Sequence, residues 1–230
     1  MRYTNLFFDL DRTLWDYDAN SARALTEIFT AYKLHRYFAS AEEFLEIYNH
    51  HNDILWERYR HGGISKEDLR VNRFGLTLKE KKLEDPALNS QIGEHYMDIT
   101  PRLDTLFDHA HETLEYCAGK GYRMYILTNG FIKTQETKMV HSNILHYFKK
   151  IFSSEELGVN KPHSEFFHWA ISALHARKNE CLMIGDDLEV DIKGAMSYGI
   201  DAAWFNPASE KSAFIPTYTI RNLKELTRML

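Results

Sequence analysis

The sequence predicts an α/β fold, a Rossmann-like doubly wound parallel sheet with an inserted all-helical segment. In the second half of the chain, short apolar runs alternate with helical patterns, as is typical of parallel β-α-β units. Before that region, a long stretch shows helical periodicity without a convincing strand. Polar residues follow several of the predicted strands, and in open parallel sheets such positions form the active crevice.

Composition and charge limit the possible functions. The chain has 230 residues, of which 44% are hydrophobic, so it can bury a substantial core. A net charge of -5 without a Lys/Arg cluster argues against a nucleic acid polymer as partner. A small anionic substrate stays possible because a bound metal can reverse the charge locally. Two cysteines in apolar stretches predict buried thiols and a reducing compartment.

The sequence gives no sign of a membrane partner. The chain enters a strand pattern directly, without a cationic leader, and no apolar run approaches the ~20 residues of a membrane-spanning helix. We therefore expect a soluble, cytoplasmic protein. The sequence does not fix the oligomeric state, and a monomer is compatible with it.

The first predicted element is a strand over residues 3–8. Helical periodicity then predicts four or five helices, broken at "HGGIS" and near Pro86. We predict that residues 16–95 form a helical insert in a core made of residues 1–15 and 96–230.

Strands and helices alternate after Pro101. In order, they are a strand in "GYRMYILTNG", a helix over 132–146, a strand in "KKIFSS", a helix over 164–176, a strand in "ECLMIGDD", a helix over 190–198 and a strand in "DAAWF". Four stretches place polar residues at the ends of such strands or in the loops that follow: Asp9 and Asp11, Thr128 and Asn129, Lys161, and Asp186, Asp187 and Asp191. Each stretch alone is ordinary loop composition. Together they would converge on one edge of the sheet.

This combination fits phosphoryl transfer. Two neighbouring aspartates repel each other unless a cation binds or one carboxyl keeps a proton. Carboxylates from two strand ends can hold Mg²⁺, which prefers oxygen ligands. One acid can then attack phosphorus, and its neighbour can act as general acid and base. Thr128, Lys161 and the backbone N–H groups near Asn129 and Gly130 would neutralise the phosphate oxygens.

The motifs "DLDRT", "ILTN", "KP" and "GDDLEVD", in this order, resemble the four motifs of the haloacid dehalogenase superfamily of phosphohydrolases. The resemblance covers the whole chain. It implies a Rossmann-like core with a helical C1 cap between the first two motifs, and Mg²⁺ as cofactor. It makes Asp9 the nucleophile and a metal ligand, and Asp11 the general acid/base, with its backbone carbonyl on the metal.

The later motifs supply the remaining residues that the resemblance implies. Thr128 and Lys161 become phosphate binders, with Asn129 beside them in the substrate site. Asp186 becomes a metal ligand and Asp191 its supporting acid at the metal. The family spacing of five residues favours Asp191 for this role, but the adjacent Asp187 leaves the choice open.

Finer likenesses suggest a substrate. Haloacid dehalogenases lack the second aspartate of the first motif, whereas Asp11 is present here. The stretches "LTNGF", "SSEELGVNKP" and "NDILWERYRHGGIS" are similar to pyrimidine 5′-nucleotidases. This similarity implies a small phosphorylated metabolite, a nucleoside monophosphate, held under the cap. Trp56 or Tyr59 could then lie near the base, although their helical spacing favours packing within the cap.

Two alternatives share these features. A sugar-phosphate phosphatase or phosphomutase would carry the same core motifs and differ in the cap. A receiver-like phospho-acceptor module for signalling also combines an acidic cluster, a Thr and a Lys on a doubly wound sheet, but it is about half this length and has no cap.

Overall fold

The computed structural model describes residues 2–230. Six strands form the sheet: β1 (Asn5–Phe8), β2 (Arg123–Thr128), β3 (Phe148–Ser153), β4 (Cys181–Gly185), β5 (Asp201–Phe205) and β6 (Tyr218–Ile220). Ten α-helices occur among the described residues: α1 (Tyr17–Ala31), α2 (Ala41–Arg60), α3 (Lys66–Lys79), α4 (Pro86–Ile99), α5 (Ala110–Gly119), α6 (Ile132–His141), α7 (Ser154–Leu157), α8 (Ser164–Ala173), α9 (Gly194–Tyr198) and α10 (Leu226–Met229). A π-helical segment, Leu188–Lys193, joins β4 to α9.

The sheet is parallel throughout, with strand order β3-β2-β1-β4-β5-β6. Phe8, the last residue of β1, lies opposite Ile126 of β2 and Ile184 of β4. Strands β1 and β4 are buried along their whole length, which explains their uninterrupted apolar sequences. Along the chain, β2 and β3 are added on one side of β1, and β4, β5 and β6 are then added on its other side. This reversal creates a crevice at the carboxyl ends of β1 and β4, and the predicted fold class is confirmed.

The chain forms two compact units. The sheet unit comprises the residues up to Tyr17 together with Asp104–Leu230, and the helical insert comprises Asp18–Leu103. The insert contains four α-helices, α1 to α4, around a core of its own. It extends beyond residue 95 because α4 continues to Ile99 and a short 3₁₀ turn follows.

Capping residues explain where the helices of the insert begin. Ser65 starts α3 with a capping box, in which its hydroxyl accepts from the N–H of Asp68 and the Asp68 carboxylate accepts from the N–H of Ser65. Asp85 caps α4, and Pro86 occupies its first position, where the missing N–H costs nothing. The predicted breaks at "HGGIS" and near Pro86 are therefore confirmed.

Some element boundaries differ from the prediction. The helix predicted over 132–146 ends at His141, and a separate 3₁₀ turn covers Leu145–Tyr147. The three-residue edge strand β6 was not predicted because it is too short to show an alternating pattern. In the described part of the chain, no helix combines the length and the apolar character that crossing a bilayer requires.

Candidate active site

The ends of β1 and β4 bring three carboxylates together. Asp9 directly follows β1, and its N–H donates to the carbonyl of Ile184 in β4 at 2.9 Å. Asp186 directly follows β4, and Asp191 lies in the π-helical segment. One carboxylate oxygen from each aspartate lies within 4.8 Å of the others. Two of these three acids come from different strand ends, as the sequence predicted.

The ammonium group of Lys161 holds this cluster together. Its Nζ donates to Asp9 Oδ1 at 2.7 Å, to Asp191 Oδ1 at 2.6 Å and to the carbonyl of Leu127 at 2.6 Å. A lysine ammonium has three N–H donors, so all of them are engaged. The side chain is 1% exposed. Lys161 therefore links the acid cluster to β2, and binding a phosphate would require it to exchange one of these bonds.

The end of β2 supplies a hydroxyl donor. Thr128 Oγ1 accepts from the N–H of Gly130 at 2.9 Å and from Nε2 of Gln135 at 2.7 Å. Its own O–H hydrogen is left to donate to a ligand. The side chain of Asn129 instead makes two hydrogen bonds to the backbone of Lys161, at 2.8 and 3.0 Å. Thr128 is thus the available donor here, and the Asn129 side chain fixes the Lys161 loop.

Two residues orient Asp186. The fully buried hydroxyl of Thr13 donates to Asp186 Oδ1 at 3.0 Å, and the indole N–H of Trp204 donates to the Asp186 carbonyl at 2.8 Å. Sequence reasoning missed both. Thr13 could have been found, because it lies within the "DLDRT" motif, but nothing in the sequence places Trp204 beside Asp186.

Asp187 and Asp191, which both follow Asp186 in the sequence, have different contacts. Asp187 Oδ1 accepts from the N–H groups of Glu189 and Val190, both at 2.9 Å, and so caps the π-helical segment. Asp191 belongs to the carboxylate cluster. A Cβ atom on Gly185 would lie 2.4 Å from Asp191 Oδ2, so this close approach requires glycine.

The carboxylate of Asp11 is bound by helix α6. Its Oδ2 accepts from Nε2 of Gln135 at 2.9 Å, and its Oδ1 accepts from Nζ of Lys138 at 2.5 Å. Both donors are buried. Sequence reasoning missed Gln135 and Lys138, because they lie within a helix rather than at a strand end.

The cluster carries more negative charge than Lys161 balances. Burial raises the pKa of Asp9 well above its usual value, against the attraction of Lys161, and Asp191 and Asp186 add to the rise. Burial also raises the pKa of Asp186 to about 7, with Asp191 as the next cause. For Lys161, burial lowers the pKa, but the attraction of Asp191 and Asp9 outweighs it and the pKa is raised. The site therefore favours a further cation.

A divalent cation of the Mg²⁺ type fits this donor set. The available ligand atoms are carboxylate oxygens, which hard cations prefer. Burial is the main cause of the raised pKa values of Asp9 and Asp186, and repulsion from neighbouring carboxylates adds to it. A cation would offset that repulsion.

The family model of haloacid dehalogenase-like hydrolases matches residues 3–199. The chain belongs to this family. The resemblance seen in the four sequence motifs is thus confirmed, as is the prediction of a hydrolase.

Relatives match this family member along its whole length. PynA from Streptococcus pneumoniae, a pyrimidine 5′-nucleotidase, is 30% identical over 98% of this chain and 94% of its own. YjjG from Escherichia coli, also a pyrimidine 5′-nucleotidase, is 30% identical over 100% of this chain and 99% of its own. The crystal structure of the HAD-hydrolase YfnB from Bacillus subtilis, bound to magnesium, superposes with a TM-score of 0.89 at 30% identity. That match covers 100% of this chain and 99% of the YfnB chain.

Proposed function

We propose that this enzyme is a Mg²⁺-dependent phosphatase that hydrolyses pyrimidine nucleoside 5′-monophosphates through an aspartyl-phosphate on Asp9. The observation that carries the proposal is the position of Asp9 in a cluster of three carboxylates, fixed by Lys161. A carboxylate held in this way is a nucleophile with a defined orientation, which is what covalent phosphoryl transfer requires.

In the first step, the Asp9 carboxylate attacks the phosphorus atom. A bond forms between the carboxylate oxygen and phosphorus while the bond from phosphorus to the ester oxygen breaks. The leaving oxygen takes a proton from the Asp11 carboxyl, so a neutral nucleoside alcohol departs. The product on the protein is an aspartyl-phosphate at Asp9.

In the second step, water attacks the phosphorus atom of the aspartyl-phosphate. Asp11, now a carboxylate, accepts the proton from that water. The acyl phosphate bond breaks, inorganic phosphate leaves, and the Asp9 carboxylate is restored. The two steps divide one difficult displacement into two easier ones.

Other residues of the site stabilise charge. The hydroxyl of Thr128 would donate to a phosphate oxygen, and Lys161 supplies a positive charge beside Asp9. Asp9, Asp186 and the backbone carbonyl of Asp11 would hold Mg²⁺, with Asp191 in support. When bound, the metal supplies positive charge for the phosphate oxygens and the carboxylates.

The nucleotide part of the proposal is supported by PynA and YjjG, which match this chain over nearly all of both lengths. A sugar-phosphate phosphatase would use the same carboxylates, lysine and threonine, so the phosphoryl site does not distinguish the two. The choice between them therefore requires a substrate comparison.

The test is phosphate release from a panel of phosphomonoesters. The panel contains UMP, CMP and dTMP, the purine nucleotides AMP and GMP, and glucose 6-phosphate and ribose 5-phosphate. We expect the pyrimidine nucleotides to have the highest kcat/KM, EDTA to abolish activity and added Mg²⁺ to restore it. The nucleotidase proposal fails if sugar phosphates are preferred by a wide margin. A long-lived phosphoaspartate without turnover would instead indicate a receiver-like module.

A further inference from the structure

Helix α6 carries two buried polar side chains for which the proposed reaction gives no role. Gln135 is fully buried and Lys138 is 6% exposed, whereas Lys133 and Glu136 on the same helix are exposed. Burying a lysine is unfavourable unless its charge is paired. The contacts of these two side chains therefore indicate why they are present.

Both side chains contact the carboxylate of Asp11. Lys138 Nζ lies 2.5 Å from Oδ1, and Gln135 Nε2 lies 2.9 Å from Oδ2, so each carboxylate oxygen has one donor. The Lys138 ammonium also lies 4.4 Å from the centre of the Trp15 ring, a cation–π distance. Trp15 is fully buried and pairs through its backbone with the Asp11 turn. The turn from Asp11 to Trp15 thus provides the carboxylate and the aromatic ring that Lys138 contacts.

The chemistry of the contacts fixes the orientation of the Gln135 amide. When Asp11 is in its carboxylate form it only accepts hydrogen bonds, and the group of Gln135 that faces it is then the NH₂. The same NH₂ donates to Thr128 Oγ1 at 2.7 Å. A Cβ atom at Gly130 would lie 2.3 Å from this nitrogen, so the contact requires glycine there. Gln135 thus connects Asp11, the proposed general acid/base, to Thr128, whose hydroxyl is proposed to donate a hydrogen bond to the phosphate.

The remaining amide atom, Gln135 Oε1, is buried and has no hydrogen-bond partner among the described residues. A buried acceptor without a protein partner is unfavourable for folding. An apolar residue of similar size at position 135 would avoid this penalty. Glutamine instead provides an NH₂ that donates to Asp11 and Thr128. We take this as support for a role of these two hydrogen bonds in the site.

We propose that Gln135 and Lys138 are positioning residues for Asp11. By binding one carboxylate oxygen each, they restrict the rotation of the side chain and keep it directed for proton transfer in both steps. This inference rests on the proposed phosphatase function, and it adds two residues to the catalytic apparatus that the four motifs do not contain.

The leaving group distinguishes a positioning role from a purely structural one. The alkoxide that leaves UMP is strongly basic and needs a proton from Asp11 as it departs, whereas 4-nitrophenolate leaves 4-nitrophenyl phosphate readily without one. The value of kcat/KM reports the steps up to release of the leaving group. Misplacing Asp11 should therefore lower kcat/KM for UMP far more than for the aryl ester.

The experiment compares Lys138→Met and Gln135→Met with the wild type on both substrates. We expect kcat/KM for UMP to fall about 10- to 100-fold and that for 4-nitrophenyl phosphate to change less than about threefold. Lys133→Met, an exposed lysine on α6, is the matched control and should leave both values unchanged. The ratio of the two kcat/KM values does not depend on the folded fraction, so partial misfolding does not obscure the result.

Three outcomes overturn the inference. In the first, the variants lose kcat/KM by the same factor for both substrates, which indicates a structural role. In the second, kcat/KM for UMP rises in the variants, which shows that the two contacts hold Asp11 in a position that hinders proton transfer. In the third, the wild type hydrolyses no phosphomonoester, and the proposed function fails as well. If only UMP is rejected, the preferred alkyl phosphate of the panel replaces it, so the nucleotidase proposal can fail separately.

Discussion

The two units of the molecule differ in what they bury. In the described part of the sheet unit, four charged side chains are buried, each at most 8% exposed: Asp9, Lys138, Lys161 and Asp191. Among the described residues of the helical insert, Arg73 is the one charged residue buried to this extent. The hydrophobic cluster there combines aromatic and aliphatic side chains. A buried charge reduces stability unless it is paired and hydrogen-bonded.

The difference indicates that the candidate active site belongs to the sheet unit. In the sheet unit, three carboxylates, Asp9, Asp186 and Asp191, gather near the carboxyl ends of β1 and β4. The ammonium group of Lys161 balances only part of their charge, which leaves an excess of negative charge. In the insert, Tyr48, Phe74 and Tyr96 pack ring against ring, with centroids 4.9 to 5.5 Å apart. We therefore expect substitutions in the first group to affect catalysis and substitutions in the second to affect stability.

The largest expected effect comes from removing the nucleophile. Asp9→Asn should reduce phosphate release by about 10⁴-fold or more, because an amide cannot form the acyl phosphate. The fold should be kept, since the replacement has nearly the same shape. Phosphate release and circular dichroism measure the two properties. Substantial activity in a folded Asp9→Asn variant would remove Asp9 from the mechanism.

The next effect tests the buried lysine. Lys161→Met should lower kcat by about 10²- to 10³-fold, as expected when a charge-stabilising donor is lost. It should also destabilise the fold by about 3–5 kcal/mol, because Asp9 and Asp191 lose their partner. Steady-state kinetics and denaturant unfolding measure both effects. Lys149→Met, an exposed lysine on β3, is the control and should change neither.

A substitution in the insert should affect stability alone. Phe74 is fully buried between Tyr48 and Tyr96, so Phe74→Ala should reduce the free energy of unfolding by about 3–5 kcal/mol. The rise in Tm caused by Mg²⁺ should persist, because the carboxylate cluster is untouched. A change below about 1 kcal/mol would show that the aromatic core contributes less than its burial suggests.

The smallest effect concerns pH. Burial and Asp191 raise the pKa of Asp186 to about 7, so its contribution to stability is present below about pH 4 and is lost as the pH rises through 7. Mg²⁺ opposes this loss but competes with protons at low pH. The rise in Tm on adding Mg²⁺ should therefore be several degrees larger at pH 8 than at pH 5.5.

Adjacent acids provide the control for this measurement. Asp186→Asn should remove most of the Mg²⁺-dependent shift. Asp187→Asn should preserve it, since asparagine can still cap the π-helical segment. Equal shifts for both variants, or a wild-type shift that does not change with pH, would contradict the assignment of the metal to the carboxylate cluster.

The sequence predicts the sheet unit well where position along a strand decides the outcome. Asp9 and Asp186 follow apolar runs, and the carboxyl ends of parallel strands meet at one edge, so their approach follows from the order of elements. The contacts of Asp187 and Asp191 could not be predicted: Asp187 caps the π-helical segment, whereas Asp191 contacts Lys161. Which of the two supports Asp186 at a metal stays a prediction.

The contacts of α6 could not be predicted in the same way. Gln135 and Lys138 are three residues apart and so share a helix face, but the sequence does not say which part of the sheet unit that face meets. Their contact with Asp11 depends on how α6 is rotated beside the loop after β1. Trp204 is a similar case, because its partner is a backbone carbonyl.

In the proposed mechanism, Asp9 carries the phosphoryl group between substrate and water. The most direct measurement is to quench the Mg²⁺-loaded enzyme during turnover of 4-nitrophenyl phosphate, reduce any acyl phosphate with borohydride and locate the modified residue by mass spectrometry. We expect homoserine in place of Asp9. Steady turnover with the modification on another residue would contradict it.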